Sequence, residues 1–490
     1  MDSRGMMPAG ELAGVGEIPV TEISRFREEM ADGIRSGEWL ASLSAVPVGG
    51  VPHLLAVMVE PRAGRLHLMM TRPGEKYPAL SNEVPQAHRF EREIFEQTGI
   101  VPEGHQWLKP LRYNRPGDRP GVTDFFRVEG EEVHEVAVGP VHAGVIEPGH
   151  FRFQCHGERV MHLEIALGYQ HRGVEKALAG GPNVRSISMM ETMAGDTSVG
   201  HATAFAQMIE SLSGTPAPSR AQALRAVALE MERMANHTGD LGALAGDVAY
   251  LPTASYCGRL RGDFLNLTAL ICGSRFGRGL VRPGGGGVDV DAERAELILS
   301  RLADTMRDFG EATHLLWEAP SVTARFERTG LVEKMAALDF GLVGPAARAS
   351  GVTRDVRFEC PSGWYREVPM MPAVEQGGDV MARARVRWQE VHHSAVFVRQ
   401  VLARLPEGPI RSDIGPLRAD AVAVSLVEGW RGAICHVAVT DSQGKFASYK
   451  VVDPSFHNWS GLAWAMRDAP ISDFPLCNKS FNLSYCGHDL

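Results

Sequence analysis

Hydrophobic residues recur with a strand-like spacing in the first part of this chain and with a helical spacing in the second part. This change predicts two domains. Between residues 23 and 128, short apolar runs such as 53–59 and 65–70 alternate with turn residues, as is typical of strands. An amphipathic segment, residues 88–100, predicts a helix that ends at Gly99. We interpret this part as a small α/β domain.

The stretch after residue 128 is rich in Gly, Pro and Glu, so we interpret it as a linker that leads into a β-hairpin over residues 139–153. The predicted domain boundary lies near residue 135. The chain is thereby divided into a flexible N-terminus (1–22), an α/β domain (23–135) and a second domain (136–490).

In the second domain the apolar positions recur at the three- and four-residue spacing of helices. This pattern covers residues 189–212, 220–251 and 292–318, and it predicts helices packed into a bundle. The last 70 residues return to extended runs at 421–441 and 445–456, followed by a tail that we predict to be rich in loops. The expected fold class is α+β, with an N-terminal α/β domain before a large, mainly helical domain that also holds small β elements.

Composition excludes only a few classes of function. The chain has 490 residues and a formal net charge of −9, and the absence of a concentrated basic run argues against nucleic acid as a ligand. The sequence contains no apolar stretch of about 18 residues, the length needed to cross a bilayer, and its start does not resemble a secretory signal. We therefore expect a cytoplasmic protein that reaches a membrane only through partners.

Seven cysteines are scattered along the chain, and no two form a Cys-x-x-Cys pair. This spacing argues against an iron-sulfur or zinc site built from local cysteines. We interpret them as buried, reduced thiols.

Several segments, taken together and in order, resemble a known family. They are residues 90–113, 139–153, 167–178, 230–248, 341–357, 378–388 and 427–432. The second domain is similar to the large subunits of complex I and of membrane-bound, energy-converting nickel-iron hydrogenases, including formate hydrogenlyase. The first domain resembles the small complex I subunit that is often fused in front, and the resemblance implies the hydrogenase large-subunit fold type for the second.

The resemblance also implies a function and partners. Electrons would pass from an iron-sulfur cluster in a neighbouring small subunit to a site at the subunit interface, and the energy would drive ion movement through antiporter-like membrane subunits. The chain would lie on the cytoplasmic face of the cell membrane. In the hydrogenases the redox site is nickel-iron, whereas in complex I it is a quinone.

A nickel-iron centre needs four thiolates, because this metal pair favours soft sulfur donors. The resemblance places the four cysteine positions on Ala194, Thr197, Ser455 and Asn458. None of these side chains is a thiol, so we expect no nickel-iron centre and no metal.

The complex I alternative is a quinone, which in that family is held by an Asp-Tyr pair. The resemblance places this pair on Ala194 and Gly195, so the phenol is missing, and Asp196 is left as a carboxylate that could relay a proton. His142 and His150, which flank the hairpin turn, are candidate proton donors because imidazole titrates near neutrality. The alternative is that they are ordinary hinge or surface histidines.

Three further residues match family positions. Arg431 is expected to point at the redox site and to hold charge, or else to form a structural ion pair. Asp453 could accept a proton, although Asp-Pro is also a plain turn signal. His201 is expected on the same helix and the same face as Ala194, and a buried, hydrogen-bonded histidine is its alternative.

Charged residues that are adjacent or close in otherwise apolar segments are expected to form structural salt bridges. They are Arg172 with Glu175, Glu232 with Arg233, and Asp355 with Arg357.

Three hypotheses follow. The first is a redox subunit of a complex I-like or formate hydrogenlyase-like assembly, in which the former metal pocket binds a quinone-like acceptor. The alternative is a non-catalytic subunit that keeps the fold and couples its neighbours. The outlier is a hydrogenase with unusual ligands.

Overall fold

The computed structural model describes residues 1, 5–115, 117–144 and 146–490. The elements of the first region, in chain order, are β1 (Met6–Pro8), β2 (Leu12–Gly14), β3 (Val20–Thr21), α1 (Ile23–Ser36), β4 (Trp39–Val48), β5 (Val51–Glu60), β6 (Arg65–Thr71), β7 (Lys76–Pro78), α2 (His88–Thr98) and β8 (Val101–Glu103).

The first region is built on an antiparallel sheet in the order β1-β6-β5-β4, with β3 parallel to β6. Helices α1 and α2 pack against strands of this sheet and bury apolar residues such as Phe26, Met30, Phe90 and Ile94. The predicted helix over 88–100 is confirmed, since α2 ends at Gly99 in the left-handed conformation.

The predicted flexible segment over residues 1–22 differs from the structure. Residues 2–4 lie outside the described part, but β1 pairs with β6, and β2 pairs with a strand near residue 422. Met7 and Ala13 are each 1% exposed. Burial of these apolar side chains explains why the segment is ordered.

The second region begins with β9 (Val133–Val138), β10 (His150–His156) and β11 (Arg159–Ala166). These strands form an antiparallel sheet in the order β11-β10-β9. Residues 139–149 of the predicted hairpin connect β9 to β10, and β9 itself lies in the stretch that was predicted to be a linker. The boundary expected at residue 135 falls inside β9, which pairs along its length with β10.

A bundle of helices follows the hairpin. Its elements are α3 (Val174–Leu178), α4 (Ser186–Met190), α5 (Ser198–Ser213), α6 (Ser219–Asp247), α7 (Leu251–Cys272), β12 (Val281–Arg282), β13 (Gly285–Gly286), α8 (Ala292–Glu318), α9 (Pro320–Phe326), α10 (Lys334–Asp339), α11 (Gly344–Arg348), α12 (Val356–Glu359) and α13 (Val380–Leu402). Helix α6 lies at its centre, between α7 and α13, and is buried on nearly every side.

The predicted helix over 189–212 is wrong at one point, because the chain leaves helical geometry between α4 and α5. Ala194 lies in this loop, so it does not share a helix with His201. Helix α4 already ends at Met190, and Asp196, in the loop before α5, has a φ of 55°, which is incompatible with a right-handed helix.

The C-terminal elements are β14 (Ala421–Gly429), β15 (Gly432–Thr440), β16 (Phe446–Val452), α14 (Pro454–Ala465), α15 (Phe474–Phe481) and α16 (Tyr485–Asp489). The three strands form an antiparallel sheet in the order β16-β15-β14, and β2 completes it. The loop-rich tail that we expected is largely helical. Asp453 caps α14 through its side chain and Pro454 occupies the first turn, a combination that favours a helix start.

Described as a whole, the fold is α+β. Within the residues that the structure describes, no helix is both long enough and apolar enough to cross a membrane.

Candidate functional site

The loop between α4 and α5 forms one wall of the candidate site. The carbonyl oxygen of Asp196 accepts hydrogen bonds from the Asn236 amide (3.1 Å) and from the Trp430 indole (3.0 Å). These bonds hold the loop against α6 and against the turn between β14 and β15. Trp430 is a site residue that the sequence interpretation missed, although it lies beside the family position of Arg431.

The turn between β14 and β15 forms the second wall and carries Arg431. Its guanidinium donates to the carbonyl oxygens of Asn482 (2.6 Å) and Gly195 (2.9 Å) and lies 3.9 Å from the centroid of the Trp430 ring. In the described part of the chain it forms no ion pair with a carboxylate. The structural ion pair considered as its alternative is therefore absent there, and the positive charge remains available at the site.

Two glycines allow this turn to lie close to the start of α11. Gly344 has a φ of +65° and Gly432 a φ of +135°, which are values that disfavour other residues. A Cβ atom on Gly344 would lie 2.1 Å from the carbonyl oxygen of Arg431. The position of Arg431 therefore depends on the absence of a side chain at residue 344.

A cavity of about 290 Å³ opens between the two walls. Of the predicted site residues, Gly195, Asp196 and Arg431 line it. The other lining residues are Asn236, Gly239, Asp240, Ala243, Arg261, Trp430, Lys479 and Asn482.

The charge of this cavity is positive. Asp196 pairs with Arg261 at 2.6 Å, and Asp240 pairs with Arg387 at 2.7 Å, so both lining carboxylates have cationic partners. Arg431 and Lys479 add two further positive charges. The lining therefore favours a ligand that becomes negative when it takes up electrons.

Behind Arg431, four buried side chains form a continuous hydrogen-bonded chain. His201 Nε2 lies 3.1 Å from the Asp453 carboxylate, His201 Nδ1 lies 3.1 Å from His436 Nε2, and His436 Nδ1 lies 2.8 Å from the Tyr449 hydroxyl. Each of these residues is 3% exposed or less. The tautomers of the two imidazoles decide which way each shared hydrogen of this chain points.

Two members of the chain have pKa values displaced from their ordinary range. Burial opposes ionisation of Asp453, but the hydrogen bond from His201 and the charge of Arg431 keep its pKa below the ordinary value. Burial, together with repulsion from His201, holds the pKa of His436 well below its usual range. Asp453 is thus the carboxylate end of the chain and His436 a neutral link. His436 and Tyr449 were missed because they lie on strands with no motif around them.

The four positions expected for cysteines do not line the cavity. Ala194 is 4% exposed and the other three are 2% exposed or less. The Asn458 amide makes two hydrogen bonds of 3.0 Å with the backbone of Val343, and the Ser455 hydroxyl accepts from the Ser484 amide at 2.8 Å. The expectation that all four line an emptied pocket is therefore wrong, because internal hydrogen bonds and the C-terminal residues fill the place of the second pair.

These donors also do not fit a nickel-iron centre, which requires soft thiolates. A methyl group, two hydroxyls and an amide stand at the four positions. In the described residues, no group of three or more His, Cys, Asp or Glu side chains is arranged to hold a metal ion.

One thiol does lie near the site. Cys486, which is remote in sequence from the motif positions, lies 3.4 Å from the Ser484 hydroxyl, and its backbone amide donates to Glu147. Burial and the charge of Glu147 raise its pKa, so it is a neutral thiol rather than a ligand-ready thiolate.

The two loop histidines lie apart from this site. His142 Nε2 bonds to the Gly149 carbonyl oxygen (3.0 Å), and His150 Nδ1 to that of Gly139 (3.2 Å). His150 also accepts from Arg152, and burial lowers its pKa. Neither histidine contacts Asp196, Arg431 or Asp453 within the described residues, and both serve to hold the hairpin turn.

Glu232 is a site residue whose importance the sequence did not reveal. The expected pair with Arg233 does not form, and the Glu232 carboxyl instead accepts the amides of Val199 (2.7 Å) and Gly200 (3.3 Å) at the start of α5. Burial raises its pKa to about 8, and the nearby Asp196 contributes. Glu232 is therefore a second proton-holding group beside the loop that lines the cavity.

The other expected pairs had mixed outcomes. Asp355 and Arg357 form an ion pair at 2.7 Å. Glu175 pairs instead with Lys450 at 2.9 Å, while Arg172 donates to backbone carbonyl oxygens, including that of Met193. Adjacency in sequence did not identify these partners, because they come from different elements.

Comparison with known families gives two matches. Residues 29–119 match the 30-kDa subunit of respiratory-chain NADH dehydrogenase, and residues 247–420 match the 49-kDa subunit of the same enzyme. The two matches are joined in one chain here.

Individual proteins agree with this. The chain is 31% identical to the carbon monoxide-induced hydrogenase of Rhodospirillum rubrum over 71% of its own length and 97% of the relative. It is 29% identical to formate hydrogenlyase subunit 5 of Escherichia coli, over 84% of this chain and 76% of that one. A chain of the membrane-bound sulfane sulfur reductase, an archaeal respiratory membrane complex, shares the fold with a TM-score of 0.66 and 24% identity, over 74% of this chain and 99% of that one.

Proposed function

Because the chain belongs to the family that unites the 49-kDa subunit of respiratory-chain NADH dehydrogenase with the large subunits of membrane-bound hydrogenases, we propose that it passes electrons to a quinone-like acceptor. It is an oxidoreductase subunit that acts within a membrane respiratory complex. The proposal concerns its acceptor and the route of its protons. The observation that carries it is an open cationic cavity lined by Arg431, whose charge also acts on Asp453 in the buried hydrogen-bonded chain.

The acceptor would occupy the cavity beside Gly195, Asp196 and Arg431. Reduction of a quinone to a quinol takes up two electrons and two protons, and negative charge develops on the ring oxygens before the protons arrive. A fixed guanidinium stabilises such charge more strongly than water does, because it needs no reorientation. Arg431 is held in that way by two backbone carbonyl oxygens and the Trp430 ring.

Protons would come through the Asp453, His201, His436 and Tyr449 chain rather than through His142 or His150. Each member can donate on one side and accept on the other, so that a proton taken up at one end permits release at the other. The charge of Arg431 lowers the pKa of Asp453. Asp196, on the cavity wall, is a second candidate carrier.

We also propose partners for this reaction. The electrons would come from an iron-sulfur cluster in a small subunit that covers the cavity, and the energy would drive ion translocation through antiporter-like membrane subunits. The chain would then sit on the cytoplasmic face of the membrane. The donor set at the former metal positions supports a reaction without nickel and iron.

A second candidate is the non-catalytic coupling subunit. The hydrogen bonds that fill the place of Ser455 and Asn458 favour it, as does the missing phenol at Gly195. The open cavity and the positioned Arg431 have no role in that alternative.

Replacement of Arg431 separates the two candidates. Arg431→Gln in the assembled complex should lower the rate of electron transfer from reduced methyl viologen to a short-chain quinone about 100-fold, in line with the loss of one fixed charge from a reaction site. Arg431→Lys should recover part of that rate. Arg307→Gln, which alters an exposed ion pair, is the matched control.

The assembled complex must be quantified in each membrane preparation, so that a lost rate is not a lost subunit. Unchanged electron transfer in Arg431→Gln, at equal amounts of complex, would favour the coupling subunit over the redox subunit.

A further inference from the structure

A second cavity lies between the two regions of the chain, away from the candidate redox site. It has a volume of about 360 Å³, which is within the range of small-molecule sites. Helix α2 of the first region forms one side and helix α14 of the second forms the other. The hairpin strand β11 and residues 106–107 close the ends.

The lining of this cavity is unusually cationic. Arg89, Arg92 and Arg467 line it, and Glu164 is the acidic residue among the lining side chains. Glu164 is already engaged, since it pairs with Lys109 at 2.8 Å and accepts the Phe126 amide at 2.8 Å. The lining therefore carries three guanidinium charges and one carboxylate, whose charge also acts on Arg92.

The hydrogen-bond partners of Arg89 and Arg92 carry no negative charge. Arg89 donates to the Ser460 hydroxyl (3.2 Å) and meets His488 Nε2 (3.1 Å), and Arg92 donates to the carbonyl oxygens of Lys109 and Pro110. In the described part of the chain, none of the three arginines forms an ion pair with a carboxylate. Both α2 arginines are half-buried, and placing unpaired charge there is costly.

The pKa of Arg89 shows how unfavourable its charge is in this position. Burial and, to a smaller extent, repulsion from Arg92 lower the pKa of Arg89 to about 9. His88 and His457, which also line the cavity, add no further positive charge. Burial holds the pKa of His88 at about 2 and that of His457 at about 3, so both are neutral imidazoles at physiological pH.

The rest of the wall is aromatic. Phe90, Trp107, Phe340, Phe456 and Trp464 line the cavity together with Leu163 and Ile165. Rings of this kind bind planar groups by stacking and edge contacts, while arginines bind phosphate groups through paired N–H donors. The two sets of residues face the same space.

From these contacts we infer that this interdomain cavity binds a mononucleotide, with its phosphate on Arg89 and Arg92 and its base among the aromatic side chains. The bound phosphate balances the charges of the arginines. Because α2 and α14 supply opposite walls, the nucleotide also links the two regions of the chain. No residue of the redox cavity lines this site, so the inference does not depend on the proposed function.

Calorimetric titration of the purified assembly tests this with three probes: AMP, adenosine and inorganic phosphate. AMP should bind with a Kd below 1 mM, and adenosine and phosphate should each bind at least tenfold more weakly, since each offers half of the interactions. Arg89→Gln and Arg92→Gln should each weaken AMP binding at least tenfold. Arg35→Gln, on an exposed ion pair of the first region, should leave it unchanged.

Arg467→Gln is a variant that should not disturb folding, because the Arg467 side chain is exposed at the rim of the cavity. It should weaken AMP binding about threefold without altering the unfolding temperature. The inference is overturned if AMP does not bind at 5 mM, or if adenosine binds as tightly as AMP. It is equally overturned if AMP binds with the same affinity in Arg89→Gln and Arg92→Gln, because the nucleotide would then lie elsewhere.

Discussion

The four positions expected for nickel-iron cysteines form two halves that differ in this structure, Ala194 with Thr197 and Ser455 with Asn458. The half between α4 and α5 borders an open cavity, and Gly195 in its centre has free space in front of it. The half at the start of α14 is closed, because Asn458 bonds to Val343 and Ser455 to Ser484. Ala194 and Thr197 are themselves buried, but their loop adjoins a cavity, whereas Ser455 and Asn458 are part of the protein interior.

The largest expected effect comes from breaking the closed half. Asn458→Ala would leave the amide and the carbonyl oxygen of Val343 buried without partners. At about 1–3 kcal/mol for each unpaired group, the free energy of unfolding should fall by about 3 kcal/mol. Thermal unfolding of the purified protein measures this, with the exposed Asn266→Ala as the matched control. A loss of less than about 0.5 kcal/mol would contradict the structural role of Asn458.

The open half depends on the turn that carries Arg431, and Gly344→Ala should displace it. The new Cβ would lie 2.1 Å from the Arg431 carbonyl oxygen, and forced contacts of this kind cost about 1–3 kcal/mol. Because small misplacements of a fixed charge are costly for a reaction, electron transfer to a quinone should fall at least tenfold. Gly310→Ala, where a Cβ meets nothing within 4 Å, is the control.

If Gly344→Ala retained its full rate at an unchanged unfolding temperature, the position of Arg431 would not matter for the reaction. The open half would then be no more functional than the closed half.

A pH-dependent effect concerns Glu232, beside the open half. Its pKa is raised to about 8 from an ordinary value of 4.5, so the folded state binds this proton more tightly than the unfolded state. The resulting stability is fully present below about pH 4.5 and is lost as the pH rises to about 8, at about 1.4 kcal/mol for each pH unit. Between pH 6 and 8, Glu232→Gln should therefore lose less stability than the unchanged protein.

Unfolding free energies at pH 6, 7, 8 and 9 measure the effect. The exposed Glu296→Gln should follow the unchanged protein at every pH. Identical pH profiles for Glu232→Gln and the unchanged protein would show that Glu232 is not the buried proton carrier inferred here.

Regular elements could be predicted from the sequence, whereas irregular ones could not. Helices α6 and α8 were predicted from periodicity because each is long and regular. The break between α4 and α5 was not, since the left-handed backbone of Asp196 in this loop is not visible in the apolar spacing. In the C-terminal tail, Asp453 and Pro454 could have signalled a helix start, but Asp-Pro is equally common in turns.

Site residues followed a similar rule. Family positions located Arg431, Asp196 and Gly195 on the cavity, because local motifs fix local backbone. They could not locate His436, Tyr449 or Cys486, whose approach depends on the register of β15 with β16 and on the packing of the last residues. His142 and His150 belong to a motif as well, but their hydrogen bonds close the hairpin turn instead of facing the cavity.

The smallest expected change in stability sharpens the comparison most. Gly195→Tyr restores a phenol to the open half, and a Cβ at this residue meets no atom within 4 Å, with no positive φ to disfavour it. Stability should therefore change by less than about 1 kcal/mol. If the cavity receives a quinone, the phenol hydroxyl can donate to its carbonyl oxygen and the KM for the quinone should fall several-fold.

Gly195→Phe supplies the same ring without the hydroxyl and should leave the KM unchanged or raise it. An equal KM in the two variants would mean that the acceptor does not approach Gly195, and the open half would have to serve another ligand.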